Sequence, residues 1–586
     1  MKYELISPRD KTLPAVEQVL QNRGIQDIKH YLNTDDTDIL DPSLIANIKE
    51  GAMMLVSHIK RESRVMVQID SDADGYTSAA ALLNYLNKLF PSFTQNNICY
   101  RPHTDKTHGL LLETIPDDVQ LVIAPDSSSM DYEVHKALNE KGIDVLVIDH
   151  HEAEKVSEYA CVINNQLCDY PTKSLSGVGM VYKFCCYLDQ LIDTNYADDI
   201  LDLVALGLIA DMVDLRDYET KRLIEKGLEN VHNPFFKGMA IKNEYSIGPE
   251  ITPFGVGFYI APFINAVARS GSPEDKLLLF EAMLEYKAYE IIPSTKRGCK
   301  GETETRVEQA CRNCGNIKNR QTTVRDDSLE IIEQIIEEQD LLRNKVILVQ
   351  LNEAQKTTLA GLIANQIMPI YGRPVLILSE TKHEILDDNG IVVDVEKWWE
   401  GSGRGPNILG FEDCKAFYEE SGLVEYVSGH ANAFGLGIKD QNVEAFLEYV
   451  NTELADFDFT PRHKVDFLCN AKDIYDYHYD FYNLIDYSNL WGQQVSEPLV
   501  AIENIAVTKD NIDLMKGKTL KITLPGDPDI SLIKFRVAEE EYEQLYSESG
   551  CVTLNVVGFC KRNSYNNKPQ IIMKDYEIVR RMDYYF

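Results

Sequence analysis

Two short stretches concentrate side chains that could bind divalent cations. In Val65-Met-Val-Gln-Ile-Asp70-Ser-Asp72-Ala-Asp74-Gly75, an apolar run of strand length ends in three carboxylates. In Val145-Leu-Val-Ile-Asp149-His150-His151, another ends in a carboxylate and two imidazoles. Like charges this close repel and perturb each other's pKa, and a divalent cation between them relieves the repulsion. Oxygen plus imidazole ligands suit Mn²⁺, with Mg²⁺ suited where oxygens dominate. Side chains of an extended segment alternate with period two, so Asp70 and Asp72 can face one pocket. Asp126 follows Leu121-Val-Ile-Ala-Pro, and Asp211 follows the apolar stretch Leu203–Ala210. Five or six such groups can hold two ions. A pair about 4 Å apart activates a water and stabilises the leaving oxygen in phosphoester cleavage.

Each group alone has a plainer reading. A single Asp at a strand end is commonly a turn or a helix cap, and Asp-His-His occurs by chance in long chains. Asp-x-Asp-x-Asp-Gly opens like a calcium loop, but loop position 12, which needs a bidentate Glu, is Ala81 inside an apolar helix. The conjunction of these groups, each after an apolar segment, favours one shared site.

The elements that must position these residues follow from the patterning. Apolar runs at Val65–Ile69, Val119–Ala124, Val145–Ile148 and Cys161–Ile163 alternate with helical segments, including Thr77–Leu89, which predicts a parallel sheet flanked by helices. Ligands in such folds sit at the carboxyl ends of strands, where Asp70, Asp126 and Asp149 fall. Residues 1–60 read as a helical lead-in, with Asp41-Pro42-Ser43 starting a helix that runs to about Lys60. The catalytic α/β domain is expected over 61–250 and a connecting helical region over 251–343. The latter has a polar stretch at 295–325, then a helix from about Ser328 to Leu342. A second α/β domain is expected over 344–457. Over 458–586, five short β-rich runs between Leu499 and Met573 suggest a small barrel, with the OB-fold the leading candidate. The expected class is therefore multidomain α/β with a C-terminal OB-like β-barrel.

The motifs in this order resemble the DHH phosphoesterase superfamily, and within it the RecJ-type single-strand-specific exonucleases. The resemblance rests on residues 70–78, Asp126, Asp149-His150-His151 and Ala210-Asp211-Met212-Val213. It extends through Asn265-Ala266 and Arg269, Gly361-Leu-Ile-Ala, Gly401-Ser402-Gly403-Arg404 and Gly429-His430-Ala431 to the β-rich tail. It implies a DHH catalytic domain, a DHH-associated domain and an OB-fold. The implied reaction is 5′-to-3′ hydrolysis of single-stranded DNA in repair and recombination. It implies Asp70, Asp72, Asp126, His150 and Asp211 as ligands of two ions, Mn²⁺ or Mg²⁺. His151 would contact the scissile phosphate, and Asp74 and Asp149 would orient their neighbours. Asn265, Arg269, Arg404, Gly429 and His430 would meet substrate. Arg offers phosphate a bidentate fork. A single-strand-binding protein or a helicase is the kind of partner implied. Four positions depart from the family pattern: Ser127-Ser-Ser after Asp126, Phe263 for Arg, Ser428 for Gly, and Phe434 for a small residue. Two rival readings are a phosphodiesterase of short oligonucleotides or cyclic dinucleotides, and a non-catalytic replication scaffold.

Composition narrows the class further. At 586 residues the chain is too long for one core. A net charge of −35 argues against a non-specific nucleic-acid coat protein but allows an enzyme with a local basic groove. No apolar run approaches the roughly 20 residues of a bilayer span, and the N-terminus lacks a signal-peptide core. A cytoplasmic location is expected. Cys311-Arg-Asn-Cys314, with Cys299 upstream, invites a zinc reading, but three thiols without a nearby His fall short of four ligands. Two cysteines one helical turn apart is the plainer alternative. Lys296, Arg297, Lys300, Lys318 and Arg320 make that region locally basic. Lys516, Lys518, Lys521, Lys561, Arg562 and Lys568, with Tyr565, could grip single strands in the barrel.

Overall fold

The computed structural model describes residues 1–104, 107–248, 250–299, 301–352, 359–386, 392–406, 408, 410–460, 462–563 and 565–582. Lys300 lies outside them. The chain divides into two compact units. One comprises Ser7–Asn319, Asp466–Lys574 and Ile578–Phe586; the other comprises Met1–Ile6, Arg320–Val465 and Asp575–Glu577.

The lead-in is not wholly helical. It opens with strand β1 (Lys2–Leu5), which pairs in parallel with Arg462–Val465. Its register is set by a partner far along the chain, a signal that local periodicity does not carry. Helices follow at Ala15–Asn22 and Ile48–Lys60. Asp41-Pro42-Ser43 starts only a 3₁₀ turn, Pro42–Leu44, and Asn47 at φ +63° breaks the path before the long helix begins.

Strands β2 (Val65–Ile69), β3 (Ile98–Pro102), β4 (Leu121–Pro125), β5 (Asp144–Asp149) and β6 (Cys161–Asn164) form a wholly parallel sheet in the order β3-β2-β4-β5-β6. β3 is absent from the sequence reading because its Tyr100-Arg101-Pro102 end is polar and half-exposed, as edge strands are. β2 and β4 are buried at every residue, which is why they read as unbroken apolar runs. Met66, Val122, Ala124, Val145 and Val147 share one core with Leu138 and Ile143. The strand order reverses between β2 and β4. In open α/β sheets, ligands bind outside the carboxyl ends of strands at such a reversal.

Strands β7 (Ile291–Pro293) and β8 (Thr303–Thr305) form a short hairpin before one 33-residue helix, Arg306–Glu338. That helix replaces the expected polar stretch and shorter helix, because its sparse apolar stripe is diluted by charged residues. Cys311 and Cys314 lie on it, one turn apart and buried. Burial pushes the Cys311 thiol up to about 12 and raises Cys314 further. Among the described residues no cluster of metal-binding side chains includes either cysteine.

In the second unit, β9 (Ile347–Leu351), β10 (Val375–Leu386), β11 (Val392–Arg404), β12 (Tyr426–His430) and β13 (Ala433–Lys439) form a sheet in the order β12-β13-β11-β10-β9. Only β9 and β10 run in parallel. β14 (Arg462–Val465) pairs with β1. The tail carries β15 (Phe467–Asn470), β16 (Leu499–Val507), β17 (Ile512–Met515), β18 (Thr519–Leu524), β19 (Asp527–Phe535), β20 (Cys551–Arg562) and β21 (Pro569–Met582), ordered β15-β16-β20-β21-β19-β18-β17. This is the expected OB domain, with two short strands, β15 and β17, beyond the five expected. No helix of the described residues is long and apolar enough to cross a membrane.

Candidate metal centre

The switch between β2 and β4 gathers the acidic residues. Asp70 leaves the end of β2 and is buried. Asp72 caps the helix Ala73–Leu89, its Oδ1 accepting the Gly75 N–H at 3.1 Å. Asp126 leaves the end of β4 at φ +68°, a left-handed conformation that Asp tolerates better than most side chains. Its own N–H continues the sheet, donating to the Ile148 carbonyl at 2.8 Å. Asp149 ends β5, and Asp211 caps the carboxyl end of the helix Leu201–Ala210.

Three overlapping ligand groups result. Ligand atoms lie within 4.8 Å of one another in Asp70, Asp72 and Asp126, in Asp74, His150 and Asp211, and in Asp126, Asp149, His150 and His151. His150 Nε2 joins the groups, 3.2 Å from Asp126 Oδ1 and 3.8 Å from Asp211 Oδ2. Asp126 Oδ1 is buried with no hydrogen-bond partner. A buried carboxylate oxygen left this way is costly unless a cation meets it. The remaining donors, four carboxylates and an imidazole, are the set that Mn²⁺ and Mg²⁺ accept. The site therefore fits a divalent metal.

Electrostatics agree with this fit. Burial, then Asp74 and its other acidic neighbours, pushes Asp126 well above the ordinary carboxylate range. Burial and Asp74 raise Asp72, and burial, Asp74 and Asp72 push Asp211 up to about 8. Burial lowers the His150 pKa, keeping its ring neutral and its lone pair available. Burial would also raise Asp149, but the hydrogen bond from His151, that ring's charge and the hydrogen bond from Ser129 hold it well below the usual range.

Asp74 and Asp149 are fully engaged inside the protein. Asp74 accepts from Ser176 Oγ (2.9 Å), the Gly177 N–H (2.6 Å) and the Val178 N–H (3.2 Å), so its charge sits at the N-terminus of the helix Gly177–Ile192. Asp149 accepts the Ser129 N–H at 3.0 Å and the His150 N–H at 2.7 Å. His151 Nδ1 lies 2.8 Å from Asp149 Oδ1, and this bond, overcoming burial, raises His151 to about 9. Space at the site depends on glycines. A Cβ on Gly177 would stand 2.4 Å from Asp126 Cβ, and one on Gly75 would stand 2.6 Å from Asp70 Cβ.

Two histidines at this site are absent from the sequence reading. His108 Nδ1 lies 2.7 Å from Asp70 Oδ2, and His103 Nε2 lies 3.6 Å from Asp70 Oδ1. Both sit in the loop after β3, where neither periodicity nor an apolar run marks them. Asn265 serves the metal loop directly, its Oδ1 accepting the Ala73 N–H at 2.9 Å. Arg269 is exposed, and its charge acts on Asp72.

Arg404, Gly429 and His430 belong to the second unit. Register aligns Arg404 with Ala433 and Ala433 with His430, so the two side chains occupy one row across β11, β13 and β12. Gly429, at φ +124°, has the Ala433 carbonyl 2.8 Å from where a Cβ would stand. Arg404 Nε is buried without a partner, and a Cβ on Gly361 would stand 2.7 Å from its Nη2. Phe434 turns into the core against Gly403, so that departure from the family pattern leaves the outer face unchanged. In the barrel, Lys561, Arg562 and Lys568 are ion-paired with Glu497, Asp486 and Asp529.

Comparison with known proteins adds to this geometry. Residues 64–208 match the DHH family, N-terminal domain, and residues 466–575 match the RecJ OB domain. The chain is 37% identical, over 99% of each protein, to YorK, an SPbeta prophage-derived protein of Bacillus subtilis (strain 168) assigned as a single-strand DNA-specific exonuclease. It is 26% identical to the single-stranded-DNA-specific exonuclease RecJ of the same organism, over 96% of this chain and 68% of that protein. Its fold resembles the crystal structure of RecJ in complex with Mn²⁺ from Thermus thermophilus. The TM-score is 0.67 at 18% identity, covering 97% of this chain and 76% of that one.

Proposed function

Because this chain belongs to the RecJ-type family of single-strand-DNA-specific exonucleases, we propose that it hydrolyses single-stranded DNA from the 5′ end to nucleotides at a centre of two divalent ions, Mn²⁺ or Mg²⁺. One observation carries the reading: Asp126, whose buried Oδ1 has no hydrogen-bond partner, lies at a strand-order reversal where the groups of candidate ligands overlap. Asp70, Asp72, Asp126, His150 and Asp211 would hold the ions, Asp126 being the residue placed to serve both. Asp74 adjoins the second group and anchors the helix behind Asp126. When bound, the metals supply an activated water for in-line attack at phosphorus and offset charge on the departing oxygen.

The chain's own residues do the rest. The His151 ring, protonated near neutral pH, donates from Nδ1 to Asp149, which leaves its second N–H for a non-bridging phosphate oxygen. Asn265 holds the backbone at Ala73, and with it the Asp72–Asp74 turn. In the second unit, Arg404 and His430 grip substrate phosphates, with Gly429 allowing close backbone approach. Repair and recombination are the processes such an enzyme serves, with a single-strand-binding protein or helicase as its protein partner. Replacing Asp126 by Ala and following Mn²⁺-dependent release of nucleotide from a single strand tests the reading. Unchanged activity in that variant would remove the shared-ligand role. A small-substrate phosphodiesterase would have no task for the OB domain, and preference for a dinucleotide over a long strand would favour that rival.

A further inference from the structure

Aromatic rings are unusually open to solvent where the connecting helices meet the barrel. The helix Pro253–Tyr259 buries Val256 and turns Phe254 and Phe258 outward together, as i,i+4 spacing requires. The two rings stack at 4.4 Å and 28°, and Phe258 stays 62% exposed. From the barrel, Lys561 sets its Nζ 4.1 Å from the centre of the Phe254 ring while also pairing with Glu497 at 2.9 Å. Tyr565, beyond the end of β20, is 88% exposed and meets Tyr245, itself 90% exposed, hydroxyl to hydroxyl. Rings this open cost solvation that folding does not recover, and exposed apolar patches mark interaction surfaces.

The helix that carries the rings packs near the metal centre. Gly257, between the two phenylalanines, faces Ile209, whose Cγ2 would lie 3.6 Å from an added Cβ. Ile209 stands two residues before Asp211. The next helix, Ala261–Ser270, supplies Asn265 to the metal loop. The rings thus lie between helices that reach the metal loop and a lysine from the barrel.

We propose that Phe258, Tyr245 and Tyr565 form a base-stacking track for the unpaired strand between the metal centre and the barrel, with Phe254, covered by Phe258 and Lys561, as its backing; this rests on the exonuclease reading above. Every nucleobase has a π-face, so such a track is tolerant of sequence. Lys561 is already neutralised by Glu497, so stacking rather than charge supplies the grip. This matches a chain whose net charge is −35. The track therefore discriminates by strand length: short fragments reach the metals without touching it.

The test uses the full chain carrying Asp126→Ala, so that bound DNA survives, and follows anisotropy of fluorescein-labelled dT20. Adding Phe258→Ala or Tyr565→Ala is expected to weaken dT20 binding about tenfold each, with Phe258→Trp restoring it. In the otherwise unaltered enzyme, the same substitutions should leave turnover of a trinucleotide and the melting temperature unchanged. Iododeoxyuridine placed along dT20 should cross-link to Phe258 or Tyr565. Unchanged dT20 affinity in the Phe258→Ala/Tyr565→Ala double variant would overturn the track while leaving the exonuclease reading intact. Equal loss on dT20 and trinucleotide with a lowered melting temperature would also overturn it, as a packing role. Failure of the Asp126→Ala parent to bind any single strand would instead remove the reading beneath it.

Discussion

The candidate metal centre and the Arg404–His430 row are two regions built in opposite ways. The first is a buried set of like charges whose backbone, helix dipole and neighbouring glycines are all committed to holding it. The second is a row on a sheet, where pleat and register alone bring Arg404 and His430 to one face. The difference teaches that the buried charges are held where nothing can relax, whereas the Arg404–His430 row depends on strand register and on glycines that let its own backbone and side chains approach closely. Substitutions in the first region should abolish turnover, and those in the second should weaken affinity.

The sharpest test is at Asp126. Asp126→Ala is expected to lower turnover of single-stranded DNA by about 10³-fold or more, as loss of a shared metal ligand should. In the metal-free protein it should also raise the melting temperature by a few degrees, because it removes a carboxyl that burial and acidic neighbours make costly to ionise. Calorimetry with EDTA and a nuclease assay with Mn²⁺ check both. Next, Gly177→Ala should lower turnover about 100-fold without touching a ligand, since its Cβ would displace the Asp126 carboxylate. Little change in kcat would show that the centre is softer than described.

In the second region, Arg404→Ala should raise KM about tenfold or more while kcat changes little, with Arg404→Lys recovering only part. A fall in kcat at unchanged KM would erase the contrast between the regions.

Metal coupling yields a smaller, graded effect. Asp211, raised to about 8, keeps its proton in the folded metal-free protein at pH values where the unfolded chain, with a carboxylate near 3.9, has lost it. The folded state then binds more protons, so stability falls as pH rises from about 4 through 8. Asp72 and Asp126 act in the same direction. His151 adds a contribution that is present below about 6.5 and lost as pH rises through 9. Asp149 acts oppositely, but only in the acid range. Melting temperature against pH should therefore slope downward with EDTA and flatten with Mn²⁺. Parallel curves would contradict the assignment of these carboxylates as ligands.

Much of the metal centre was legible because Asp70, Asp126 and Asp149 each end a strand buried on both faces, so an apolar run points at each acid. The engagement of Asp74 was not, because its partners at Ser176, Gly177 and Val178 lie about 100 residues away and are mostly backbone groups without side-chain signatures. His103 and His108 escaped for a related reason: only the fold of their loop brings them to Asp70. The parallel sheet and the barrel followed from alternation and strand spacing. Strand β1, the edge strand β3 and the 33-residue helix did not, since pairing with distant residues or a sparse apolar stripe decides them.

The most direct measurement is Mn²⁺-dependent digestion of one single-stranded oligonucleotide labelled at its 5′ end or its 3′ end, beside a blunt duplex. A two-metal, single-strand-specific 5′ exonuclease should release 5′-labelled mononucleotide at once, shorten the 3′-labelled strand gradually and leave the duplex intact. Rapid hydrolysis of dinucleotides with no cleavage of long strands would contradict it.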